Sequence, residues 1–239
     1  MFQTDSLSLI VLFVGLSLLP FVAMVATSYL KIVVVMSLIR NALGIQSIPP
    51  NMVINALAMI LTFYIMAPVA SESWDIVAAE RAKFVSAQQA PQPAAGAQPA
   101  AGGQDSAAVV FESDIAAKAA EPFRKFLSEH TSARERAFFI STAETLWGKD
   151  GEPATVDPES FYILLPSFCV SELTKSFQIG FLVYLPFIAI DIIVSNILLA
   201  MGMMMVSPVT ISLPFKLLLF VMVNGWTLLI QGLVRGYAV

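Results

Sequence analysis

The chain is predicted to be all-α and of the membrane type: two long, kinked helical hairpins flanking a small polar helical domain. Three observations predict this. Apolar residues make up 57% and charged residues only 13%, with a mean hydropathy of +0.79, outside the range of ordinary soluble domains. Charge is also segregated: 14 of the 17 acids and 8 of the 13 bases fall between Glu72 and Glu159. The flanks hold long uncharged runs at 6–30, 41–71, 192–215 and 217–234. Runs of about 18 or more such residues are long enough to cross a bilayer. The resulting division is 1–72 for the first hairpin, 73–160 for the polar domain and 161–239 for the second hairpin.

The first apolar block runs from Leu7 to Leu38. At about 1.5 Å per residue it would extend roughly 48 Å, too long for one simple span, so a break is expected at Gly15 or Pro20. The segment Asn41–Asn51, with Gly44, Pro49 and Pro50, is a chain reversal. A second apolar helix over about 51–69 is expected to end at Pro68. Residues 86–108, made almost wholly of Ala, Gln, Pro and Gly, have nothing to bury and read as a disordered insert. Ile115–Glu129 follows as an amphipathic helix. Ser132 with Glu135 forms a capping box opening a helix to about Trp147, and 148–153 is a turn. The third block, Phe161–Val206, is punctuated by Pro166 and Pro186. Ser207-Pro208 turns the chain into a last helix over about 211–234.

Met1–Asp5 has no basic residues and carries Asp5, so the N-terminal segment is expected to be retained as structure, not cleaved as a signal. Arg40 in the first turn favours that turn on the cytoplasmic side, with the polar domain outside, while Arg235 near the C-terminus opposes it mildly.

Several functional classes are excluded. One cysteine (Cys169) and one histidine (His130) leave no disulfide and no metal cluster, and no cofactor motif or catalytic signature is present. Cys169 reads as a small buried hydrophobe and His130 as part of a solvated helix. A net charge of −4 with no basic patch argues against nucleic acid. What stands out are charges inside apolar sequence: Lys31, Glu172, Lys175, Asp191 and Lys216. Each must face protein or water to be tolerated. Glu172 and Lys175 can pair at i,i+3. Asp191 and Lys216 lie at unequal distances from Ser207-Pro208, so pairing between subunits is the more natural expectation. A proton or ion relay is the alternative, which would make the chain part of a proton-coupled carrier or ion channel.

Four of the eleven methionines, Met201, Met203, Met204 and Met205, cluster around Gly202 just before Pro208. Such a cluster is more often plain packing than a gate. Yet methionine is soft and polarizable, and a ring of it could close a pore and reopen around a polypeptide. Gly202 would let neighbouring backbones approach closely.

The segments RNALGIQSIPPNMV (40–53), SELTKSFQIGFLVYLPFIAID (171–191), MGMMMVSP (201–208) and ISLPFKLLLF (211–220) closely resemble the signatures of the FliP/SctR family of type III secretion export-gate proteins. RKFLSEH (124–130), Phe138-Phe139 and the absence of a removable signal resemble the injectisome SctR branch. Asn224 departs from the family, which usually has Asp there, and the 86–108 insert is longer than expected. The resemblance implies a non-enzymatic subunit of a virulence-associated export apparatus in the bacterial inner membrane. About five copies would join SctS- and SctT-type subunits in a cone-shaped helical hetero-oligomer. That complex would sit at the periplasmic side within the basal body. Contacts to SctU, SctV, inner-rod and basal-body ring proteins are implied, with unfolded proteins as substrates. The methionines would line the constriction as a gasket, and Lys31, Arg40, Glu172, Lys175, Asp191 and Lys216 would serve as buried or inter-subunit charges.

Overall fold

The computed structural model of the chain describes residues 6–45, 48–89, 114–148 and 154–238. Every regular element among them is helical, with no strand among the described residues. The first apolar block forms α1 (Ser6–Val25) and α2 (Tyr29–Ala42), bent by 56°. The break falls at residues 26–28, while Gly15 and Pro20 both lie inside α1. Thr27 accounts for it: its hydroxyl donates to the Ala23 carbonyl (2.7 Å) and accepts from the Tyr29 amide (3.4 Å). Such local side-chain bonding competes with the helical ladder.

Next comes α3 (Asn51–Gln89), which passes straight through Pro68 and across the 72/73 boundary. Proline removes one ladder bond, but strong helix formers on both sides carry the chain onward. Most of the 86–108 insert, from residue 90 on, lies outside the described residues, as does most of the 148–153 turn. A helical stretch at 114–119 leads into α4 (Glu121–His130), and α5 (Ala133–Trp147) follows. Only half of the expected capping box forms. The Ser132 hydroxyl accepts from the Arg134 amide (3.3 Å), but the Ser132 amide donates to Ser171 Oγ (2.9 Å) on the next helix. A tertiary contact therefore takes the place of Glu135.

The 40 residues of α6 (Phe161–Ala200) form the axis of the molecule, about 60 Å long, unbroken at Pro166 and Pro186. It packs most extensively on α2 and also contacts α4 and α5. Gly180 permits the α2 contact, because a Cβ there would lie 2.3 Å from Leu38 Cδ1. After a loop at 201–207 the chain returns along α6 as α7 (Pro208–Met222) and α8 (Gly225–Arg235). One continuous last helix is expected from sequence. Instead the chain bends by 58° at Val223–Asn224, where Asn224 adopts a left-handed conformation (φ 50°). Asparagine tolerates that geometry better than most residues.

Two apolar clusters hold the chain together. One joins α2, α3, α6, α7 and α8 through Ile32, Val35, Ile39, Ile54, Phe187, Phe220 and Leu233. The other gathers Ala26, Phe126, Leu127, Leu164, Phe168 and Tyr237, and so ties the C-terminal tail to α4 and α6.

Both hairpin turns open with the same device. Gly44 (φ +78°) and Gly202 (φ +73°) are left-handed residues just past α2 and α6. In the first turn the Gly44 and Ile45 amides bond the Asn41 and Arg40 carbonyls. In the second, Gly202 and Met203 bond Leu199 and Leu198 in the same pattern. These are Schellman motifs, which satisfy helix-terminal carbonyls and favour glycine at the left-handed position. Gly202 is thus a turn residue, and within the chain a Cβ on it would touch nothing. Replacing Gly44 or Gly202 by Ala should cost about 1–2 kcal/mol each, lowering the melting temperature in detergent. Gly15→Ala, inside α1 with open space around it, should be neutral or stabilising. Equal effects at all three positions would contradict the turn assignment.

Candidate functional site

Two places gather the residues singled out from sequence. The first is a buried charge cluster on Glu172, whose side chain is 0% exposed. Lys31 Nζ lies 2.8 Å from Glu172 Oε2, and Lys175 Nζ lies 3.2 Å from Oε1. The Tyr237 hydroxyl also donates to Oε2. Lys31 Nζ sits 3.8 Å above the Tyr237 ring, a cation–π contact in a dry setting. Burial, then the charge of Glu172, pushes the Tyr237 phenol far up, so it remains a donor. Lys175 also donates to the His130 carbonyl at 2.6 Å. A single carboxylate therefore ties α2, α6, the C-terminal tail and the end of α4.

The histidine is not on a solvated face. Its ring packs 4.5 Å from Phe126 and 5.1 Å from Tyr237, and Nδ1 lies 2.9 Å from the Phe126 carbonyl. Tyr237 had no signal in sequence beyond being an aromatic residue near the end of an apolar chain. Cys169 is half-buried, with Sγ 3.6 Å from the Val25 carbonyl at the α1–α2 break.

The second place is the α6–α7 hairpin. Asp191 Oδ2 lies 2.7 Å from Lys216 Nζ within the same chain, and Asp191 Oδ1 accepts from Ser212 at 2.6 Å. Lys216 Nζ also donates to the Ala42 carbonyl at the end of α2 (3.3 Å). The expectation of pairing between subunits is thus corrected. Ser207-Pro208 is not the apex of the hairpin; the apex is the methionine loop itself. Measured from Met203 and Met204, Asp191 and Lys216 stand level on facing helices. Pro208 instead occupies the first turn of α7 behind Ser207, where its missing amide proton costs nothing.

That apex projects beyond the end of α2 and is bare. Met201, Met203, Met204 and Met205 are 67%, 41%, 82% and 101% exposed. Ile192, Ile193, Ile197 and Leu199 on the α6 side, with Val209 and Ile211 on the α7 side, are exposed as well. In the first turn, Arg40 donates to the Pro49 carbonyl (3.4 Å) and to Asn51 Oδ1, closing the loop ahead of α3. Pro50 supplies the carbonyl that accepts the first amides of α3. Among the described residues no group of His, Cys, Asp and Glu is arranged to hold a metal ion.

Two helices, Asn51–Lys83 within α3 and Phe161–Ala200, are long and apolar enough to cross a membrane, or up to four if each bent pair is one span. The model of the FliP family matches residues 12–233. The Yop proteins translocation protein R of Yersinia pestis is 47% identical over 98% of this chain and 97% of its own length. The hypersensitivity response secretion protein HrcR of Ralstonia nicotianae is 45% identical over 96% of both. The flagellar biosynthetic protein FliP of Pectobacterium carotovorum is 39% identical over 98% of this chain and 80% of its own.

The charge cluster makes a stability prediction. Lys31→Met leaves Glu172 buried with one ammonium fewer, and Glu172→Leu leaves Lys31 buried without its acid. Each should destabilise by about 3 kcal/mol. The double variant removes both charges and should lose clearly less than the sum when melting is followed in detergent. Additive losses would mean the two residues act independently.

Proposed function

We propose, starting from the fact that this chain belongs to the FliP family, that it is a core subunit of a type III secretion export gate. Several copies, with SctS- and SctT-type subunits, would surround an entry pore for unfolded secreted proteins at the bacterial inner membrane. Inner-rod, basal-body ring, SctU- and SctV-type proteins would be its neighbours. The methionine loop closes that pore as a gasket, and the chain carries out no catalysis.

One observation carries this reading: four methionines at the apex of a projecting two-helix hairpin, uncovered by the rest of the chain. An ordinary packing cluster would bury them. A constriction of flexible thioethers excludes water when closed and moulds itself around any passing side chain. The Asp191–Lys216 pair and Ser212 brace the hairpin some twelve residues behind that tip on either side, so a soft end stands on a stiff stalk. The carrier alternative needs an ionisable group free to exchange protons. Both embedded acids, Glu172 and Asp191, are held by lysines and hydroxyl donors, which favours a structural role.

In the assembled complex, Met203, Met204 and Met205 replaced together by Ala should leave the subunit composition intact by native mass spectrometry. Ion conductance of the closed pore should rise several-fold in planar bilayers. Unchanged conductance with assembly confirmed would remove the gasket. Asp191→Asn, which strands Lys216, should reduce the yield of assembled complex; loss of transport with full assembly would favour the carrier.

A further inference from the structure

Each lysine embedded in the apolar helices has a carboxylate: Lys31 and Lys175 have Glu172, and Lys216 has Asp191. Arg40 does not. Its partners are the neutral Pro49 carbonyl and Asn51 amide oxygen, and no acid among the described residues pairs with it. Its Nε is buried without any hydrogen-bond partner. A half-buried guanidinium with a spare donor and no counter-charge is an unmet demand for an anion.

The surroundings suit one. Arg40 lines a cavity of about 440 Å³ between the first turn and the α7–α8 bend, together with Asn224, Gly225, Trp226 and Thr227. Those last residues are the first turn of α8, whose Asn224 side chain makes no capping bond, so amide donors and the positive end of the helix face the same space. A second cavity of about 510 Å³ adjoins it and shares Phe220 and Gly225 as a common wall. This one is a groove between α6 and the bent α7–α8 pair, lined by Ile179, Val183, Leu219 and Leu229 with no charged residue. One ligand would match both: an acidic head beside an aliphatic tail.

We propose that these adjoining cavities form a binding site for an anionic phospholipid, its phosphate on Arg40 and the α8 N-terminus and an acyl chain in the groove. Basic pockets between membrane helices are known to select acidic headgroups, and Trp226 on the rim is a residue type favoured at that depth. A partner's carboxylate would satisfy Arg40 but leave the wholly apolar groove beside it unused.

The test uses the full-length protein in detergent, titrated with phosphatidylglycerol or phosphatidylcholine and followed by native mass spectrometry. Phosphatidylglycerol adducts should persist at about tenfold lower lipid concentration than phosphatidylcholine adducts. Arg40→Gln should erase that preference. Gly232 also lines the groove, and a Cβ there meets nothing. Gly232→Leu should therefore fill the tail site and weaken both lipids about tenfold while circular dichroism and elution volume stay unchanged. Inorganic phosphate should compete only weakly, because it lacks the tail. Equal binding of the two lipids by the wild-type protein would overturn the proposal. So would unaltered binding in a folded Gly232→Leu variant, or loss of a partner subunit with lipid binding intact in Arg40→Gln.

Discussion

The carboxylate of Glu172 is the interaction on which the rest of the chain depends. A fully buried charge is tolerable only if neighbouring groups replace the water it has lost. Glu172 has two ammonium groups and a phenol for that purpose, and they come from α2, from its own helix and from the last residues of the chain. Lys175 then reaches the final carbonyl of α4, while Ser171, one residue before Glu172, takes the Ser132 amide at the entrance to α5. Hydrophobic burial alone would let the apolar helices slide past one another, since one leucine surface resembles the next. A buried ion cluster with defined partners fixes their register.

Register is what turns a hairpin into a pointer. From Tyr237 beside Glu172, through Phe220 beside Phe187, to Lys216 beside Asp191, the returning chain stays in step with α6. The apex is thereby placed on the methionines. Gly202 ends α6 there with a left-handed turn that satisfies the last carbonyls locally, so the loop can be bare without leaving its backbone unpaired.

Much of this was legible in the sequence, and the misreadings have physical causes. Composition and charge segregation gave the all-helical membrane type, the two hairpins and the embedded charges. The prolines were overread: Pro20, Pro68, Pro166 and Pro186 all lie within continuous helices. A missing amide proton weakens a helix without deciding where it stops when good helix formers continue on both sides. The breaks fall instead at Thr27, through a hydroxyl that captures backbone groups, and at Asn224, through a left-handed backbone. Neither residue is a strong breaker by composition. The Asp191–Lys216 pair was misplaced because the loop ahead of Ser207-Pro208 was counted as helix. Tyr237 could not be assigned at all, since its partners lie about 65 and more residues away and only folding brings them together.

The exposed apolar surface poses a final constraint. From Asn51 to Trp74, α3 rises roughly 35 Å, which matches the hydrocarbon thickness of a bilayer with its edges. At the upper edge of that band stand Arg40, Asn51, Lys216 and Asp191, the polar groups around the first turn. Beyond it α6 continues from Asp191 to Ala200, another roughly 13 Å, still bearing Ile192, Ile193, Ile197 and Leu199 on its surface. Lipid can cover the band or the apex, but a bilayer of ordinary thickness cannot cover both with those polar groups at its boundary. Whatever shields the apex must therefore be protein, and the most adaptable side chains of the molecule are concentrated where that cover has to close.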